Sequence, residues 1–211
     1  MKKVAMVTGE ASHRAGGIAL ALARAGYDLV VQHQGNPLWA RETARGVEAV
    51  GRRALVVETG LCDPDGLASA LDEVRAVYAR LDVLVNGATR WEDHFLGPLL
   101  AVRTAAPLLN ASRGCVVNVL AGHAADPGSR AGLERLTRGM ARILAPRVRV
   151  NAVAIPARDG GPGGAAAAGE AAVSDAVPAG ETELARAVLF LLGSPHFNGE
   201  ILSAERGTPR W

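Results

Sequence analysis

Four side chains of this sequence have the chemistry to move a proton or to hold a charge in a cleft: His94, His123, Asp126 and Arg130. Imidazole is the side chain that ionises near neutral pH without help, so the two histidines are candidate acid/base groups. His123 follows Gly122, directly after the apolar run "GCVVNVL". The plainer reading of a solitary histidine in such a place is a solvated loop residue. Asp126 and Arg130 are four residues apart, one helical turn. A carboxylic acid with a pKa near about 3.9 keeps its proton in only about one molecule in a thousand at pH 7. A guanidinium one turn away lowers that fraction further. The plainer reading is structural: Asp126 before Pro127 is a helix start, with aspartate as cap and proline at the first position. Arg130 then closes a helix-surface ion pair worth about 0.3–0.5 kcal/mol.

The elements that must position these groups are legible as an alternation. Short apolar runs, predicted as strands, are "KVAMVT" (Lys3–Thr8), "DLVVQH" (Asp28–His33), "RALVVE" (Arg53–Glu58), "LDVLVNGAT", "GCVVNVL", "RVRVNAVAI" and "GEILSAE". Between them lie helical patterns: Gly17–Gly26, Leu38–Gly51, "DPDGLASALDEVRAVYAR", "LGPLLAVRTAAPLLNAS" with a kink expected at Pro107, Arg130–Ala145 and "ETELARAVLFLLGS". Strands apolar on both faces and separated by helices mean a parallel sheet covered on both sides. With right-handed crossovers this is an α/β, Rossmann-like doubly wound parallel sheet of about seven strands. At 211 residues the chain is expected to form one domain, residues 1–211. Pro156 to Gly180 breaks the alternation. Its glycine and alanine content predicts a mobile loop, with a short helix around Ala165–Ala172.

Composition excludes several classes. A formal net charge of +2 gives no reason to expect a nucleic-acid partner. No apolar run approaches the roughly 20 residues that cross a bilayer. The apolar stretch after Lys2 and Lys3 is also too short for a secretion signal, so a cytoplasmic protein is expected. Cys62 and Cys115 have no metal-ligand spacing and read as small buried hydrophobes; no metal site is expected.

Five stretches in order resemble the short-chain dehydrogenase/reductase family along nearly the whole chain. "VTGEASHRAGGIALALARAG" resembles its first strand, glycine-rich turn and first helix, and "LDVLVNGAT" its fourth strand. "GCVVNV" is similar to its fifth. "LTRGMARILAPRVRVNAVAIPA" is similar to the helix and strand after its active site. "ARAVLFLLGS" and "GEILSAERG" resemble its closing elements. The "HQGN" ending of strand two is most similar to the pteridine-reductase-like and acyl-carrier-protein reductase branches. The resemblance implies carbonyl chemistry by a tyrosine with a lysine four residues later. Alignment puts Asp126 at the tyrosine and Arg130 at the lysine. The only tyrosines are Tyr27 and Tyr78 and no lysine follows Lys3, so the chain contains no Tyr-x-x-x-Lys. The family's serine at the end of strand five falls on Ala121 and its helix-four asparagine roughly on His94. The connections Thr89–Phe95 and Ala121–Asp126 are shorter than the family's.

The resemblance also implies a dinucleotide site. Gly9 holds the first glycine place of the turn; an ungapped alignment puts His13 and Ala15 at the other two, and a shifted gap brings Gly16 or Gly17 into the third. Asn86, Gly87 and Ala88 follow the family's strand-four pattern and imply a wall beside the adenosine ribose. Gly60 stands where many relatives have an adenine-contacting aspartate. No acid ends strand two, which argues against a ribose 2′-hydroxyl partner and so against NAD. Arg14, in the turn, is placed to meet a 2′-phosphate, so NADP(H) is the expected cofactor if any binds. Three functions follow as expectations. The first is a non-catalytic family member forming a homo-oligomer, or a hetero-oligomer with an active paralogue. The second is an atypical NADPH-dependent oxidoreductase of a carbonyl substrate. The third is a non-redox cyclase, dehydratase or isomerase with a small-molecule ligand, using His123, Asp126 or Arg130.

Overall fold

A computed structural model describes residues 2–9, 13–35, 37–87, 95–121, 127–155 and 179–203. Seven strands form one sheet: β1 (Val4–Thr8), β2 (Asp28–His33), β3 (Ala54–Glu58), β4 (Val83–Gly87), β5 (Cys115–Ala121), β6 (Arg149–Ile155) and β7 (Ile201–Ser203). Their order is β3-β2-β1-β4-β5-β6-β7, and every pairing is parallel. Among the described residues the helices are α1 (His13–Arg24), α2 (Leu38–Ala49), α3 (Pro64–Tyr78), α4 (Leu96–Ser112), α5 (Pro127–Leu144) and α6 (Ala179–Gly193). The doubly wound α/β reading of the sequence is the fold observed. The segment 156–178, most of the expected loop, lies outside the described residues.

The period of two along each strand sends side chains to two separate cores. Ala5 and Val7, Leu29 and Val31, Val83 and Val85, and Val117 and Val119 pack under α1, α2 and α6 through Ile18, Leu22, Val47, Leu184 and Val188. Their neighbours Val4, Met6, Val30, Leu84 and Val116 face α3, α4 and α5, against Leu71, Val74, Val102, Ala105 and Leu109. Each run must be apolar at every position because both faces are covered. Cys115 belongs to the first of these cores. Cys62 does not: it is exposed, in the turn between β3 and the Asp63 cap of α3, so the expectation that both cysteines are buried is corrected. In this turn it is Leu61, not Cys62, that faces inward.

The two ends of the strands differ in chemistry. At the N-terminal end, Asp28 accepts from Arg52 Nη2 (2.8 Å) and the Arg53 amide (3.1 Å). Asp82 accepts from the Val4 amide (2.8 Å) and is paired with Arg80. Arg149, opening β6, donates to the carbonyls of Leu191, Leu192, Ser194 and Phe197. These include carbonyls of the last turn of α6, a favourable place for a cation. Asp63 caps α3 by accepting from the Asp65 and Gly66 amides, with Pro64 following, as the sequence predicts. Pro107 lies inside α4, which is one helix on both sides of it. Pro107 and Arg103, whose carbonyl loses its partner there, are both exposed, so water can take the bond.

Candidate nucleotide-binding site

Ligands of a doubly wound sheet bind beyond the carboxyl ends of the strands, where the order reverses. Here that point lies between β1 and β4, whose crossovers leave to opposite sides. β1 ends at Thr8 and turns at Gly9 with φ +90°, a conformation that side chains with a β-carbon rarely adopt. A β-carbon on Gly9 would stand 1.1 Å from the Gly87 carbonyl oxygen at the end of β4. Only glycine fits, which accounts for the first place of the turn. The Gly9 amide donates to Gln32 Oε1 at 2.9 Å, and Gln32 Nε2 donates to the Thr59 carbonyl.

Behind this turn runs a buried polar ladder. Thr8, Asn86 and Asn118 are register partners on β1, β4 and β5. The Thr8 hydroxyl donates to Asn86 Oδ1 (3.2 Å) and Asn86 Nδ2 to Asn118 Oδ1 (3.0 Å). Asn118 Nδ2 then donates to Thr137 Oγ1 (2.9 Å), whose hydroxyl donates to the Leu133 carbonyl (2.8 Å). All four residues are buried. Every amide and hydroxyl of the series has a partner, which is what makes such a chain rigid rather than costly. It fixes α5 against the sheet at its centre. Asn86 therefore acts here as a strut between strands. Gly87 supplies the carbonyl that closes on Gly9.

At the end of β2, His33 is buried and its Nδ1 has no hydrogen-bond partner among the described residues. Glu58, its register partner on β3, is exposed. β2 carries Gln32 and His33 at its exit and no acid there.

Other expected site residues are placed less completely. Arg14 and Gly17 lie in α1, and Arg130 in α5, seven residues before Thr137. The side chains of Arg14 and Arg130, and all of Ala88, His94, His123 and Asp126, lie outside the described residues. Gly16 serves helix packing: a β-carbon there would come 3.1 Å from Thr43 Oγ1 on α2. Ala121 ends β5. α5 begins at Pro127, where the proline predicts a helix start, and it carries neither tyrosine nor lysine. No group of three or more His, Cys, Asp or Glu among the described residues could hold a metal ion. No helix there is long and apolar enough to cross a membrane.

The reading of the sequence missed Gln32, His33, Asn118 and Thr137. The signal was present for three of them: a polar residue inside or closing a run otherwise apolar on both faces must have a specific partner. Thr137, on a helix, gave no such signal.

These residues fit a dinucleotide in three respects. The turn after β1 has the glycine that close backbone approach needs, α1 opens at His13 beyond it, and His33 Nδ1, without a hydrogen-bond partner among the described residues, is a polar atom that a bound sugar or phosphate would satisfy. When bound, a nicotinamide dinucleotide supplies hydride transfer.

Comparison with known proteins agrees with this architecture. The family model described as short chain dehydrogenase matches residues 3–161. The chain is 31% identical over 181 residues to a 3-oxoacyl-acyl-carrier-protein reductase of Staphylococcus aureus, covering 73% of this chain and 74% of that protein. It is 33% identical over 180 residues to an uncharacterised oxidoreductase of Mycobacterium tuberculosis, covering 72% and 68%. Among solved structures, an acetoin dehydrogenase from Enterobacter cloacae superposes with a TM-score of 0.81 at 27% identity, covering 100% of this chain and 98% of that one. Together with the seven-stranded parallel sheet and the glycine turn, these matches establish that the chain belongs to the short-chain dehydrogenase/reductase family.

Proposed function

We propose that this chain is a dinucleotide-binding family member that has lost the family's usual carbonyl chemistry and works as a non-catalytic, partner-supporting subunit. The observation that carries the proposal is α5: it holds Thr137 in the polar ladder, yet its sequence from Pro127 to Leu144 offers no phenol and no ammonium. No Tyr-x-x-x-Lys exists elsewhere in the chain. Loss of a positioned general acid alone costs about 10²–10⁴-fold in rate. NADP(H) is the proposed nucleotide, because β2 closes on Gln32 and His33 without a carboxylate and Arg14 sits in the first turn of α1.

The partner surface is the outer face of α4 and α5. Phe95, Leu99, Leu136, Met140 and Ile143 line an apolar hollow there of about 450 Å³. Ile143 is 75% exposed and Phe95 47%. A second copy or an active paralogue would cover this face.

The test is a titration with NADPH, NADP and NADH, followed by an assay of acetoacetyl thioester reduction. Micromolar NADPH binding without turnover is expected. Turnover at ordinary family rates would sink the non-catalytic reading. It would favour the second one, an atypical NADPH-dependent carbonyl reductase, which draws on the reductase relative of Staphylococcus aureus. No binding at millimolar nucleotide would remove the redox reading and the nucleotide part of the first, leaving a scaffold or a repurposed cleft.

A further inference from the structure

We propose that the outer face of α4 and α5 takes a protein partner whose own face is acidic, in preference to a second copy of this chain. The charges on the two helices are one-sided. From Leu96 to Ser112, α4 carries a single ionisable side chain, Arg103. The exposed charges of α5 include Arg135, Arg138 and Arg142, and Arg147 follows in the turn to β6. Glu134 is the one carboxylate on either helix, and Arg138 Nη1 lies 3.7 Å from it. The whole chain has a net charge of only +2, so the excess of cations belongs to this face rather than to a basic protein. The next helix of the same layer is the opposite: α3 exposes Asp65, Asp72 and Glu73 against Arg75.

The arginines stand around an apolar centre. Arg135 lines the hollow itself, beside Leu136, Met140 and Ile143. Arg103 is one turn along α4 from Leu99, and Arg142 directly precedes Ile143. Ile143 also borders a second hollow, of about 460 Å³, which Arg147 helps to line. An apolar centre inside a charged rim is the anatomy of a contact between proteins. A phosphate backbone has nothing to place in the centre. Two copies meeting here about a two-fold axis would bring the same patch against itself. Arginines would then face arginines, with the only carboxylate already paired. Burial of the centre favours that pairing and the rim opposes it. A partner with carboxylates at its rim gains from both. Salt therefore acts oppositely in the two cases, because screening relieves repulsion and weakens attraction.

The proposal rests on the partner face described above, and its test separates the two. The acidic partner used is this chain with Arg135→Glu and Arg142→Glu, at two exposed positions, which keeps the apolar centre and reverses its rim. Self-pairing of the parent and mixed pairing with the variant are measured by sedimentation velocity. The salt is set at about 0.1 M and about 1 M, where the screening length falls from about 10 Å to about 3 Å. At low salt the mixed pair is expected to be about tenfold tighter than the parent pair, or more, the scale of a few exposed charge contacts. Raising the salt should weaken the mixed pair and tighten the parent pair. Absence of a mixed pair at low salt, equal affinity of the two pairs there, or the same salt trend in both overturns the choice of an acidic partner and leaves the face standing. Ile143→Ser in both chains should weaken either pair. No change in either moves the interface away from α4 and α5 and overturns the face and this inference together. A short DNA duplex that binds the parent as tightly as the acidic variant does overturns the proposal in favour of a polyanion. Should circular dichroism show the double variant unfolded, the parent decides alone: its self-pairing is expected to tighten with salt, and loosening overturns the proposal.

Discussion

Gly9 tolerates no β-carbon for two independent reasons, its positive φ and the Gly87 carbonyl 1.1 Å from where that carbon would sit. Gly9→Ala should therefore destabilise the fold by more than about 2 kcal/mol, read as a shift of the denaturant midpoint. Gly26, also at positive φ but with open space around it, should lose less on the same change, from the backbone term alone. The two cysteines offer a second contrast. Burial pushes the Cys115 thiol from its ordinary 9.0 up to about 11, partly offset by the nearby Arg149 charge and a hydrogen bond with Asn151. The unfolded chain releases this proton near pH 9, while the folded chain keeps it to about 11. The group thus supports folding below pH 9, and that support is lost as pH rises through that window. At pH 8 a thiol reagent should titrate Cys62 in the native protein and Cys115 only after denaturant is added. Rapid reaction of both would contradict the buried site.

Among the elements, α5 is held by a polar contact from the middle of β5 and α6 by one from the N-terminal end of β6. Asn118→Leu removes both the acceptor of Asn86 Nδ2 and the donor to Thr137, and should cost about 1–3 kcal/mol for the orphaned amide. A double-mutant cycle with Thr137→Val should show coupling, since the two share one bond; strict additivity would argue against the ladder. Arg149→Met should loosen α6 at its C-terminal end, measurable as faster amide exchange there. The elements themselves were plain in the sequence, because a strand covered on both faces has to be apolar throughout and a cap has to be a short acceptor. β2 and α4 carry the boundaries read from the sequence, Asp28–His33 and Leu96–Ser112. The ladder was not plain. Thr8 and Asn86 are 78 residues apart, and only the order β2-β1-β4 makes them neighbours. Chain topology, not local pattern, decides which strand ends share hydrogen bonds.

For the whole molecule, the proposed partner face is testable at the apolar hollow bordered by Ile143, which is 75% exposed. Ile143→Glu should convert an oligomer to a monomer in light scattering with little change in monomer stability. A native mass unchanged by that substitution would move the interface elsewhere. Mixed with an active relative, the parent protein but not the variant should co-elute.

The four-residue ladder has one more consequence. It lies inside the protein, and its hydrogen bonds run from Thr8 through Asn86, Asn118 and Thr137 to the Leu133 carbonyl. A lineage could therefore exchange the fittings at the rim without loosening the frame that carries them. Chemistry and architecture are separately replaceable in such a design, and new side chains set at Ala121 or Arg130 would inherit a mounting already rigid.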